Sequence, residues 1–279
     1  MNSLAEIAIL LFGWADSPGL PGSPTMTRQR RRRIIRTRRT LTGIVLAGAI
    51  SFLAGMTDAA GLLITGDFVS FMTGNTTRAA LALGDGDLHH AAVLVTAIMI
   101  FVLGNAFGIV LAHFASRRIF VVLGCVGGLL ALASILTAES LMIPRFCVIV
   151  LSMGMVNAAV EHIEGLPIGL TYVTGALSRF GRGIGRWIVG DRHVGWTIQI
   201  VPWGGMFLGA ITGAVLTRFA GIHALWLISL FAIMIAFVTL LIPGPLQRRF
   251  NQKIEPPPPA SRAKLSRRIP VTVESDRTR

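Results

Sequence analysis

Charged residues are scarce in this chain. Asp, Glu, Lys and Arg make up 14% of its 279 residues, whereas ordinary soluble domains carry about 25%. Apolar residues make up 53%, and the mean hydropathy is +0.68, a balance that argues against a soluble enzyme. The two cysteines, Cys125 and Cys147, both lie in apolar runs and are too few for a disulfide framework. With one tyrosine in the chain, no aromatic stacking surface accompanies the arginines.

The net charge of +13 is concentrated at the two ends of the chain. Residues 1–40 hold eight arginines and two acids, and residues 244–279 hold nine basic residues and three acids. Basic ends on a nearly neutral, apolar body are typical of a multi-pass membrane protein with both tails in the cytoplasm. We therefore expect a basic cytoplasmic tail over 1–40, a membrane domain over 41–243, and a disordered, Pro-rich basic cytoplasmic tail over 244–279. The bilayer, and not a nucleic acid, is the expected partner.

Six apolar runs approach the length of about 20 residues that a membrane helix needs. Two inserts, 66–90 and 165–193, are apolar in part but broken by Gly, Thr, Asp and Arg. With the N-terminal arginines in the cytoplasm, the loop charges follow the positive-inside pattern, except for Arg145 and Arg218 at outer ends. The predicted spans are 41–64, 91–115, 119–138, 142–160, 196–217 and 223–243.

The sequence contains an internal repeat. GMTDAA at 55–60 recurs as GMVNAA at 154–159, and SFMTGNTTR at 70–78 recurs as TYVTGALSR at 171–179. LGNAFGIVLAHF, which starts at Leu103, recurs as LGAITGAVLTRF. Two copies, 41–138 and 142–243, each contain three spans and one insert with a Thr-Gly pair.

An odd number of spans per copy turns the second copy upside down relative to the first. Such inverted repeats are common in transporters, whose ligand sites lie near the bilayer midplane where discontinuous helices meet. If each insert crossed the membrane fully, there would be eight helices and parallel repeats. The acidic first insert and the basic second insert favour the inverted arrangement. The predicted fold is therefore all-α, with six transmembrane helices in two inverted repeats, each with a broken or re-entrant segment.

The motifs GMTDAAGLL and FVSFMTGNTTRAALALGDGD, followed by TYVTGALSR, resemble the YoaK-type family of bacterial inner-membrane proteins of unknown function. The resemblance covers residues 41–243. It implies a multi-pass protein of the bacterial inner membrane and no substrate, reaction or cofactor.

Asp58 is a carboxylate well inside the first predicted span. Such a residue is costly in a bilayer and usually faces a cavity or a partner. Because burial disfavours the charged form, a proton-carrying role is one interpretation. The alternative is structural: Asp58 caps the insert or pairs with Arg78. Its counterpart in the second copy is Asn157, which has a similar shape and cannot titrate.

The Thr-Gly pairs resemble helix starts, with Thr or Asn as the cap and Gly permitting close approach. A helix that starts at the midplane turns its positive dipole end toward the centre, where it suits an anion. Arg78 and Arg179 follow one turn later, and packing or snorkelling is the alternative role for them. The residues expected to form a substrate or proton site are Asp58, Thr73, Gly74, Asn75, Arg78, Asn157, Thr174, Gly175 and Arg179.

The remaining motifs indicate packing or lipid contact. Gly104 and Gly108, matched by Gly209 and Gly213, form G-x-x-x-G pairs that let helices approach closely within one chain or across a homodimer. The basic face formed by Arg179, Arg182 and Arg186 is typical of contact with anionic lipid headgroups. GDGD at 84–87, followed by two histidines, is ordinary turn chemistry, and we expect no metal.

No catalytic set is recognisable, so we expect no enzyme activity and no cofactor. The predicted function is secondary transport or permeation of a small solute, for which the helix starts favour an anion and Asp58 favours proton coupling. The alternative is a non-transporting scaffold or sensor that binds a partner or anionic lipid through its basic segments.

Overall fold

A computed structural model of the chain describes residues 28–159, 162–163, 166–167, 173–192 and 194–242. Residues 28–40 and the two short strands are described as backbone only. The predicted C-terminal tail and residues 1–27 lie outside the described residues.

The described part is almost entirely helical. Its one sheet is an antiparallel pair of two-residue strands, β1 (His162–Ile163) and β2 (Leu166–Pro167). Short 3₁₀ turns, Glu139–Leu141, Gly195–Gln199 and Gly221–His223, precede α5, α7 and α8. The helices are α1 (Arg28–Thr65), α2 (Met72–Gly84), α3 (Leu88–Phe114), α4 (Arg118–Ile135), α5 (Met142–Val156), α6 (Val173–Ile188), α7 (Ile200–Ala220) and α8 (Ala224–Leu240).

Helix α1 begins inside the segment that we expected to be a tail. It extends back to Arg28, because residues 28–40 contain neither Gly nor Pro and are rich in arginine, a good helix former. The predicted 1–40 tail is therefore helical over its described part.

Five stretches of the described chain are long and apolar enough to cross a membrane. The last spans 46 residues and contains both α7 and α8, which are separated at Gly221, where φ is +55°. The predicted all-α membrane protein is confirmed. Helices α2 and α6, of 13 and 16 residues, do not belong to these stretches, whereas α5 qualifies together with the 3₁₀ turn before it. The five stretches are Leu41–Thr65, Leu88–Phe114, Arg118–Ile135, Glu139–Val156 and Gly195–Leu240.

Helices α1 and α7 pack side by side through glycines. A side chain at Gly209 would meet the backbone carbonyl of Phe52, and one at Gly213 would meet that of Met56. Residue numbers rise together along the two helices, so the pair is parallel. Small residues allow this backbone approach in a membrane, where van der Waals packing replaces the hydrophobic driving force.

Helices α3 and α5 repeat this packing. Gly104 faces the carbonyl of Leu151, and Gly108 faces the backbone of Met155. Helix α5 corresponds to α1 in the sequence repeat and α3 corresponds to α7, so the α3–α5 contact is the counterpart of the α7–α1 contact. The predicted G-x-x-x-G contacts are therefore formed within one chain, and they are formed twice.

Helices α4 and α8, which occupy the same place in the two sequence copies, pack against each other. The rings of Phe120 and Phe237 lie 5.5 Å apart, and Ser229 Oγ donates to the carbonyl of Gly127 at 2.7 Å. Numbers rise along α4 as they fall along α8, so the pair is antiparallel.

The core of the bundle is formed by aliphatic side chains, and apolar side chains also cover its outside. Phe107 on α3, for example, is 54% exposed. An apolar exterior around an apolar core is expected of a helix bundle surrounded by lipid. The largest fully buried side chains include Ile50, Leu53, Leu94, Leu123, Leu130, Ile149, Met153 and Leu225.

Candidate functional site

The loop after α1 folds back onto that helix. Asp58 Oδ1 accepts hydrogen bonds from the backbone N–H groups of Val69, at 3.2 Å, and Ser70, at 2.9 Å. The chain reverses at Gly66, whose φ of +85° is a backbone conformation that residues with a side chain rarely adopt. Asp58 lies two turns before the end of α1, about 10 Å along its axis. The chain therefore re-enters the bundle before α2 begins, and Asp58 holds the loop of the first insert without capping α2 itself.

Helix α2 begins at the predicted Thr-Gly pair, but its start is stabilised differently from the prediction. The N-cap residue is Phe71, and no side chain caps the helix. Asn75 Nδ2 instead donates to the carbonyl of Phe68 at 2.6 Å, which ties the helix to the preceding loop. A side chain at Gly74 would collide with the ring of Phe71, so this glycine is needed for packing.

A cavity of about 440 Å³ joins the starts of α2 and α6. Thr73 and Thr174, from equivalent positions of the two sequence copies, both line it, together with Asn157 at the end of α5. The structure therefore places at one cavity three of the residues that the sequence predicts for a substrate or proton site. The other lining residues are Ser70, Phe71, Met72, Phe101 and Val173.

The two nominated arginines do not line this cavity. Arg78 Nη1 lies 2.8 Å from Asp67 Oδ1 and 2.7 Å from the carbonyl of Gly66, and its side chain is 41% exposed. Arg179 Nε donates to Gln199 Oε1 at 2.9 Å, beside a separate pocket of about 360 Å³. The considered pairing of Asp58 with Arg78 is not formed, because Asp67 binds the guanidinium.

The remaining nominated residues flank the cavity. Gly74, Asn75 and Gly175 lie in the first turn of α2 or α6, next to lining residues. Asp58 does not line the cavity but is hydrogen-bonded to a residue that does, because Ser70 lines the cavity and donates its N–H to the Asp58 carboxylate.

The cavity wall is mostly apolar, with four uncharged polar residues and no charged one. Two helix N-termini end at it, and each carries a partial positive charge. Ser70 Oγ is buried and lies beside the Asp58 carboxylate, to which its hydroxyl can donate. Sequence reasoning missed Ser70, although it belongs to the repeated motif, and Phe101, for which no signal exists in the sequence.

The histidine-containing turn before α3 has a structural role. Asp87 accepts the backbone N–H of His90 at 3.0 Å and so caps α3. His90 Nε2 lies 3.4 Å from Asp67 Oδ1. Over the described residues, no three His, Cys, Asp or Glu side chains are grouped so that they could hold a metal ion.

Comparison with known proteins supports a transmembrane protein of an uncharacterised family. A family described as "Protein of unknown function (DUF1275)" matches residues 46–238. A UPF0700 transmembrane protein of Rhizobium meliloti (strain 1021) is 55% identical over 227 residues, which is 81% of this chain and 99% of the relative. No solved structure matches the chain. The chain therefore belongs to the DUF1275 family of proteins of unknown function and is a multi-pass membrane protein.

Proposed function

We propose that the protein is a secondary transporter or permease that binds a small solute in the cavity between the starts of α2 and α6, which we call the central cavity. The observation that carries this proposal is the cavity of about 440 Å³ bounded by the first turns of α2 and α6. Helices that start inside the bundle and meet at a cavity are the usual form of a transporter site.

The packing of the helices supports an inverted repeat. Helices at equivalent positions of two inverted copies must run antiparallel, as α4 and α8 do. The glycine contacts between α1 and α7 recur between α3 and α5, as a two-fold axis in the membrane plane requires. On this proposal, α1, α3, α4, α5, α7 and α8 are the six spans, α2 and α6 are re-entrant, and both termini are in the cytoplasm of a bacterial cell. Kinship with the YoaK-type proteins, inferred from the Asp58 and Thr-Gly motifs, belongs to the same proposal.

The cavity chemistry favours a small solute with oxygen acceptors. Hydroxyls of Thr73 and Thr174, and the two positive helix ends, can bind a carboxylate, a phosphate or a neutral carbonyl compound. The wall includes no guanidinium, so the charge preference of the site comes from the helix ends alone.

Asp58 links the cavity to protonation. Hydrogen bonds to an ionised carboxylate are stronger than those to a neutral acid. Protonation of Asp58 would therefore loosen the loop that carries Ser70 and the start of α2. This gives the proposed proton coupling a physical route: the proton changes the cavity wall without touching the solute.

Cysteine accessibility tests the cavity without knowledge of the solute. In a Cys125→Ser, Cys147→Ser background, we expect Thr73→Cys and Thr174→Cys to react with a membrane-impermeant methanethiosulfonate reagent in vesicles. Phe107→Cys, on the apolar exterior of α3, is the control and should remain unlabelled because the thiol faces lipid. Absence of labelling at both cavity positions would contradict an aqueous pathway.

A second function, binding of anionic lipid by a non-transporting protein, is supported by the pocket beside α6. This pocket of about 360 Å³ is lined by three arginines and one acid, Arg179, Arg182, Arg186 and Asp191, and by Trp196. The buried indole Nε1 of Trp196 has no acceptor within the described residues. A side chain at Gly183 would collide with the Trp196 ring, so the glycine lets the indole close the pocket. Arginine forks and an indole N–H suit a phosphodiester headgroup.

Neutralising one of these arginines tests lipid binding. We expect Arg182→Gln to lower the retention of phosphatidylglycerol by the purified protein, measured by mass spectrometry, by about tenfold, the value of a charged hydrogen bond. Arg192→Gln is the matched control, because Arg192 stacks on Trp187 outside the pocket. Equal retention by the two variants would exclude a specific headgroup site there.

A further inference from the structure

We propose that the protein binds an oxyanion at the end of the bundle opposite its arginine-rich start, between Arg145 and Arg218. Arg145 lies in α5 and Arg218 in the last turn of α7, so they are far apart in the chain. Both line a pocket of about 490 Å³ at the C-terminal end of α1. The pocket shares no lining residue with the central cavity, and the proposal does not rest on transport.

Arg145 is an unusually buried cation. It is only 7% exposed. Its Nη1 donates to the carbonyl of Leu136 at 3.2 Å, and its Nε has no hydrogen-bond partner among the residues that the structure describes. No salt bridge between described residues involves Arg145 or Arg218, so no described carboxylate lies within ion-pair distance of either.

A buried charge without a counter-charge is costly. Helix ends offset a part of that cost, because C-terminal carbonyls favour cations and Leu136 caps α4. This contact occupies one donor of a guanidinium that has five. The remaining Nη donors of Arg145 and the exposed head of Arg218 are left for a ligand.

The location of Arg145 and Arg218 in the membrane topology also supports an anion site. They are the two basic residues at outer ends that depart from the positive-inside pattern, and the fold places them in one pocket. Planar guanidinium forks match the paired oxygens of phosphate and sulfate. The ligand class is therefore an oxyanion, either free or as the phosphate of a lipid headgroup.

Phosphate binding to the full chain tests the proposal. In nanodiscs of phosphatidylcholine at low ionic strength, we expect radiolabelled inorganic phosphate to bind saturably, and Arg218→Gln and Arg145→Gln to weaken this binding by about tenfold. Glutamine at 145 retains a donor for the Leu136 carbonyl, and Arg218 is exposed, so at least the second variant should fold normally, as checked by size-exclusion chromatography. Arg192→Gln serves as the control, because Arg192 stacks on Trp187 and lines neither arginine pocket.

A second arm distinguishes the two sources of the anion. If the site holds a lipid phosphate, nanodiscs of phosphatidylglycerol should suppress phosphate binding to the unmodified protein, and Arg218→Gln should lose co-purifying phosphatidylglycerol. If the site holds a free ion, the lipid should make no difference. Three outcomes would overturn the proposal. Phosphate binding could be absent in both lipids with no lipid retained, it could survive both pocket variants, or it could be lost in Arg182→Gln instead.

Discussion

Replacing Gly209 with alanine is expected to lower the thermal stability of the protein sharply. A Cβ at this position would lie 2.8 Å from the carbonyl carbon of Phe52 and closer still to its oxygen. Backbone cannot move aside as a flexible side chain can, so α1 and α7 must separate. Overpacking costs about 1–3 kcal/mol, a large share of a total stability of about 5–15 kcal/mol.

The same helix provides the control for this prediction. An alanine at Gly204 would meet nothing within 4 Å and should be neutral or slightly stabilising, because alanine is the better helix former. Gly104→Ala, at the equivalent contact between α3 and α5, should behave like Gly209→Ala. Melting temperatures measured in detergent decide the matter: equal values for Gly209→Ala and Gly204→Ala would contradict the glycine-mediated packing.

Replacing Asp58 with alanine is expected to open the central cavity wall. The carboxylate holds the N–H groups of Val69 and Ser70, and a hydrogen bond to a charged group contributes about 1.5–3 kcal/mol. Without it, the loop before α2 has no anchor on α1 at this point. In a Thr73→Cys protein, we expect Asp58→Ala to raise the rate of thiol labelling several-fold.

Asparagine at position 58 separates the structural role from the proton role. Its side-chain oxygen still accepts an N–H bond, and Asn157 stands at the equivalent place in the second copy, so the fold should survive. Protonation of Asp58 should loosen the loop and raise the labelling of Thr73→Cys at low pH, once the rate is corrected for ionisation of the thiol itself. Because asparagine cannot take up a proton, this contribution should disappear in Asp58→Asn. Identical labelling in the parent, Asp58→Ala and Asp58→Asn at every pH would remove Asp58 from both roles.

The sequence predicted the structure best where the lipid environment restricts the backbone to one conformation, the helix. A backbone in hydrocarbon must satisfy its own hydrogen bonds, so long apolar runs predict helices, and these were found. The repeat likewise identified Thr73, Thr174 and Asn157 before the structure brought them to one cavity. Helix α1, in contrast, extends into the predicted tail, because charge composition indicates solvation and not backbone conformation.

Side-chain partners could not be predicted in this way. Four carboxylates lie near Arg78 in the sequence, Asp58, Asp67, Asp85 and Asp87. Only the fold of the loop decides that Asp58 turns to backbone N–H groups and that Asp67 receives the guanidinium. The same holds for Asn75, whose amide bonds to Phe68 and not to the helix start.

By itself, the sequence determined that this is a helical membrane protein made of two related halves, since composition and repetition are properties of the chain alone. The tertiary structure decided which polar groups meet: two helix starts and Asn157 at one cavity, and Arg145 and Arg218 at another. These groups come from segments far apart in the chain. Their proximity depends on the parallel packing of glycine-bearing helices, which brings the helix ends of both halves together.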